Sequence, residues 1–177
     1  MSSGTQNLVN LARADLLASE PTSAEEIGRL LKGADDQLRD SRNTSLSAAS
    51  RFILAYGASH ALAFAALRVE GYRPVASKGH RKIIFQALGS TAGAPTELWM
   101  ALDRYHDRRN AAEYEAAPPA SGAEAKDLVE LNAHLLTRSQ EDDGRKIGDR
   151  AQSVGRGHAR RPDWNTGPAP RSRGRRS

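Results

Sequence analysis

The stretch LSAASRFILAYGASHALAFAALRVE, Leu46 to Glu70, decides the fold of this chain. Phe52, Ala55, Tyr56, Ser59, Ala63, Ala66 and Leu67 recur every three to four residues, the spacing of one helix face. Small residues also occupy its other sides. The spacing therefore predicts a central helix over 46–70 contacted by more than one neighbour. Gly71 suits the position just past its C-terminus, and Pro74 prevents the helix from resuming.

Working outward, Leu8, Leu11, Leu16 and Leu17 predict a first helix over 6–19, ended by Pro21 because a residue before proline avoids helical dihedrals. Ser23 and Glu26 form a capping box opening a second helix over 23–41, with Ile27, Leu30, Leu31, Ala34 and Leu38 on one face. Ile83, Ile84, Ala87 and Leu88 predict a fourth helix over 79–91. Pro95 and Thr96 start a fifth that runs to Ala116. Ser121 and Glu124 form another capping box, and Leu128, Leu131 and Leu135 carry a last helix to Arg138. No segment shows sustained strand alternation. The expectation is an all-α domain of five or six helices over residues 1–140.

Composition agrees. Hydrophobic residues make up 38% of the 177 and aromatics 5%, so the core must be built largely from Ala and Leu, as close-packed helices are. The absence of cysteine excludes disulfides, thiolate metal sites and thiol nucleophiles. No zinc, calcium or phosphate-loop motif occurs, so neither a metal nor a cofactor is expected. No apolar run has the length of a membrane span, and MSSGTQN lacks the basic and apolar regions of a leader, so a cytoplasmic protein without a membrane partner is expected.

Charge is unevenly placed. From Arg145 onward ten Lys or Arg accompany two Asp, a balance of +8. The whole chain carries +5, which leaves −3 for residues 1–144. Residues 141–177 are rich in Arg, Gly and Pro, nearly without aliphatics, and are expected to be disordered. Arg171, Arg173, Arg175 and Arg176 there suit sequence-independent contact with a phosphate backbone.

The fifth helix contains RYHDRRNAAEYE, Arg104 to Glu115. At about 100° per residue from Leu98 at 0°, Leu102 falls near ~40°, Tyr105 near ~340° and Arg109 near ~20°. Arg109 thus continues an apolar line. His106, Asn110 and Glu113 share a face with it, bringing a guanidinium, an imidazole, an amide and a carboxylate together. A solvated Arg109–Glu113 ladder would account for this face. So would a buried anion site, since guanidinium forks suit phosphate.

The sequence RFILAYGASHALAFAALRVEGYRP, then GHRKIIFQAL, then LDRYHDRRNAAEYE resembles HEPN-domain proteins. The likeness is to small stand-alone prokaryotic members with an RN-x-x-EY ending, over residues 26–136. The resemblance implies an up-and-down helical domain that dimerises and serves in RNA cleavage, nucleotide binding or toxin–antitoxin and defence systems. A cognate nucleotidyltransferase or antitoxin is then an expected partner. Nuclease members use an arginine, a polar residue after it, and a histidine a little further on. Arg109 and Asn110 match the first two, but positions 114–116 are Tyr114, Glu115 and Ala116. His106 and Tyr114 become the candidate proton-handling groups, with His80 and Glu113 behind them and Arg108 beside Arg109 as a phosphate contact. The missing histidine favours a dimeric RNA- or nucleotide-binding module with a degenerate nuclease motif. An active metal-independent endoribonuclease is the alternative.

Overall fold

The central helix begins where Ser47 caps it, its hydroxyl accepting the Ser50 amide at 3.1 Å. The computed structural model describes residues 3–75, 80–115 and 117–138. Among these residues the elements are α1 (Ser3–Arg13), β1 (Leu17–Ser19), α2 (Ala24–Ser41), α3 (Ala48–Val69), β2 (Tyr72–Pro74), α4 (His80–Gln86), α5 (Leu88–Thr91), α6 (Thr96–Tyr114) and α7 (Gly122–Arg138). The expected tail lies outside the described residues.

The all-α expectation holds at this level, with α3 at the centre. It packs on α2 and α7, and meets α4, α5 and α6 as well. Ala58 and Ala65 are as buried as Ala55 and Ala63, so small residues bring neighbours close on more than one side. At Gly57 a β-carbon would fall 2.6 Å from Gln37 Oε1, so glycine leaves room for the end of that α2 side chain. By length and composition α3 could cross a bilayer, but 67% of that apolar window is buried within the domain. Asn132 of α7 is fully buried and fastens it to α3, accepting from Ser59 Oγ and donating to the Ala55 carbonyl, each at 2.8 Å.

Three expectations change. The first helix stops at Arg13, where Asp15 takes a positive φ of 56°, and Leu16 and Leu17 leave the helix. Leu17 is buried instead in a two-stranded antiparallel ribbon, pairing with Pro74 while Ser19 pairs with Tyr72. Strands of three residues are too short to show alternation, so the sequence pattern could not reveal them. The expected fourth helix divides into α4 and α5 at Ala87, which keeps near-helical dihedrals (φ −67°, ψ −17°).

Gly71 holds the expected C-terminal position, with φ +79° and its amide on the Arg68 carbonyl at 2.9 Å. Arg68 itself has no exposed surface. Its guanidinium donates to Glu26 Oε1 and Oε2 at 2.8 and 3.1 Å and to the Pro21 carbonyl at 2.8 Å, with Glu20 Oε1 at 3.4 Å. This fork ties the β1–α2 connection to the end of α3.

Candidate anion-binding cleft

Two helices supply the polar centre. From α3, Tyr56 projects towards α6, which presents His106, Arg109 and Asn110. The buried residues of α6 are Leu102 and His106. Its core direction therefore lies nearer ~60° than the 0–20° expected from the apolar line, at about 100° per residue. This rotation puts His106 inside and Arg109 at the margin.

Beside them opens a cleft of about 420 Å³, lined by Tyr56, Arg81 and Arg109 together with Arg29 and Gln37 of α2. The Arg109 side chain is 17% exposed. Its guanidinium lies over the Tyr56 ring, 5.6 Å from the centroid, and donates to Glu113 Oε1 at 2.6 Å. An arginine on the apolar line thus sits over an aromatic ring while one of its nitrogens engages a carboxylate.

His106 is buried, 8% exposed, rather than at the rim of the cleft. Its Nδ1 is 2.8 Å from Tyr56 Oη, and its Nε2 is 3.1 Å from Asn110 Nδ2. An amide nitrogen can only donate, so Nε2 accepts and the ring proton sits on Nδ1, donated to the phenolic oxygen. Burial pushes His106 below its ordinary pKa of 6.5, with Lys82 and Arg81 pushing the same way against Asp107 and Asp103. Burial also raises Tyr56 above 10, against the lowering influence of Arg81 and Arg109. Both groups are therefore neutral at pH 7.

The other expected site residues are distributed differently. Arg108 donates to Glu124 Oε1 at 2.6 Å and to the carbonyls of Pro118 and Pro119 at 3.0 and 3.2 Å. It staples the α6–α7 connection. Glu124 also accepts the Ser121 amide at 2.7 Å, completing the expected capping box, and Arg108 first, then Ser121, holds its pKa at about 2. Tyr114 is 77% exposed at the end of α6. Arg73 joins Glu20 and Glu26 in the ion-pair group around Arg68. The His80 side chain and Arg171, Arg173, Arg175 and Arg176 lie outside the described residues.

Sequence reasoning missed Tyr56 and Arg81. Tyr56 reads as one more core residue on the α3 face, and its hydroxyl gains meaning only once α6 packs against it. Arg81 carries no sequence signal beyond its charge. Among the described residues no three His, Asp or Glu side chains converge as a metal-holding group.

No family model, curated protein or solved structure matches this chain. What fold and site define is an α-helical domain with an arginine-lined cleft backed by buried Tyr56 and His106 and half-buried Asn110.

Proposed function

We propose that this is a HEPN-type domain acting as a dimeric binding module for the phosphates of RNA or of a nucleotide. The observation that carries this reading is the convergence of Arg109 and Arg81 on one cleft beside Tyr56. Two guanidiniums in a half-enclosed space offer forked donors to phosphate oxygens, and desolvation strengthens such contacts. Glu113 accepts one hydrogen bond from Arg109 Nη2, and an incoming phosphate displaces it. The Arg- and Gly-rich tail adds salt-dependent affinity for a nucleic-acid backbone. Dimerisation and a nucleotidyltransferase or antitoxin partner follow from the HEPN resemblance alone.

The binding role is favoured over cleavage by the state of His106. Moving a 2′-hydroxyl proton calls for an accessible group titrating near neutrality. His106 is buried, has both ring nitrogens engaged and is held neutral by burial.

The test is titration of the full chain with 5′-AMP and with a labelled single-stranded RNA, followed by calorimetry and fluorescence anisotropy. Binding of at least one probe, lost in Arg109→Ala with helix content intact, is expected. Equal binding by Arg109→Met together with a raised Tm would make Arg109 a structural residue and end this reading.

A further inference from the structure

Tyr56 is a buried phenol in a cleft lined by arginines, and its hydroxyl meets a histidine nitrogen. His106 Nδ1 lies 2.8 Å from Tyr56 Oη, and Asn110 at Nε2 fixes the tautomer in which Nδ1 carries the proton. Arg81 lines the cleft beside Tyr56, and the Arg109 guanidinium lies over the phenol ring. None of these three can accept the phenolic proton. The nearby Asp103 carboxylate makes its ion pair with Lys82, at 3.6 Å, and its Oδ1 has no hydrogen-bond partner among the described residues.

The geometry points to Tyr56 as the neutral hydrogen-bond donor of the cleft, its hydroxyl aimed at a phosphate-ester oxygen held by Arg109 and Arg81, with His106 and Asn110 as positioning residues that fix it in that role. This rests on the anion-binding reading above and adds to it the residue that tells a phosphate ester from simple positive-charge attraction.

The chemistry of the surroundings supports the assignment. A phenolic oxygen that accepts one or two hydrogen bonds keeps a single proton, and that proton must find an acceptor or remain unsatisfied. Tyr56 lines the cleft while only 4% exposed, so bulk water is a poor substitute. An anionic oxygen between the two guanidiniums is the acceptor this arrangement lacks. Had His106 carried its proton on Nε2, Nδ1 would accept from Tyr56 and leave no donor for a ligand. Asn110, one turn along α6, prevents that by presenting its own N–H to Nε2. The Arg-Asn pair of the helix thus has two roles: the arginine meets the anion, and the asparagine sets the tautomer behind the tyrosine.

Tyr56→Phe tests the inference, since it removes one oxygen and keeps the ring beneath Arg109. Affinity of the full chain is measured for 5′-AMP and for a single-stranded RNA tetranucleotide, with helix content checked by circular dichroism. A hydrogen bond to a charged group predicts a loss of about tenfold or more for whichever probe binds the wild type. The mononucleotide and RNA arms show which phosphate source the cleft takes. If the wild type binds and Arg109→Ala does not, but Tyr56→Phe binds as well as the wild type, the anion site stands and the role of Tyr56 is overturned. If the wild type binds neither probe, both readings fall. Long-range ¹H–¹⁵N spectra of the histidines provide a readout independent of ligand and of the variant's folding. His106 is expected in the Nδ1-protonated form, converting to a mixture in Asn110→Ala. An Nε2-protonated ring in the wild type overturns the inference whatever the affinities are.

Discussion

Arg68 Nε donates to Glu26 Oε1 at 2.8 Å from a side chain with no exposed surface. A buried guanidinium is tolerated because acceptors surround it: two carboxylates and the carbonyls of Glu20, Pro21 and Tyr72. Removing one partner is therefore costly. Glu26→Ala is expected to lower unfolding free energy by about 3 kcal/mol, because it leaves a buried cation poorly compensated. Urea denaturation checks this, and a loss no larger than that of an exposed Glu25→Ala control would refute it.

Arg68 hydrogen bonding, chiefly, also holds the Glu26 carboxyl below its ordinary 4.5. A depressed folded value means that the stabilisation is present above pH 4.5 and lost as pH falls through the folded value. Wild-type stability should thus fall with acidification from about pH 4.5 downward until the folded value is passed. In Glu26→Gln that component of the pH dependence should vanish.

His106 gives a second pH signature of its own. Its folded value lies below 6.5, so above pH 6.5 both states are neutral and it contributes no slope. Between 6.5 and the folded value the unfolded chain takes up a proton that the folded one does not, and stability falls. The expected measurement is a Tm that declines on acidification below 6.5 and a His106 ring resonance titrating below 6.5. A ring titrating above 6.5 would contradict the buried, doubly engaged histidine.

Glu113→Gln should strengthen phosphate binding several-fold. It removes the charge that competes for the Arg109 fork, at 2.6 Å, while keeping the length of the side chain. Affinity for the same AMP and RNA probes reads this out, and weaker binding would show that Glu113 supports the site rather than blocks it.

Tyr114→Phe is expected to leave both stability and binding unchanged, within about 0.5 kcal/mol, as surface substitutions generally do. The reason is its exposure of 77%. A selective loss of function in this variant would reinstate Tyr114 as a working group.

Sequence alone determined where the main helices run. Apolar residues repeating every three to four positions, Ser23 and Ser121 at helix starts, and Gly71 at a helix end are local signals, set by backbone geometry within one or two turns. It also brought His106, Arg109, Asn110 and Glu113 onto one face, because i, i+3, i+4 and i+7 are neighbours on any helix. Tertiary structure decided what those residues face. Glu26 reads locally as a capping partner for Ser23, yet Ser23 Oγ takes the Glu26 amide while the carboxylate turns to Arg68. The turn from α6 to α7 brings Glu124 within 2.6 Å of Arg108, a pairing that spans two helices. The β1–β2 ribbon exists because the ends of α1 and α3 bring Leu17 and Pro74 together across the chain. Tyr56 becomes more than core when α6 rotates Leu102 and His106 inward and leaves Arg109 at the edge. The direction in which a helix buries its face is set by the summed packing of its neighbours, and a single helix's sequence does not contain that sum.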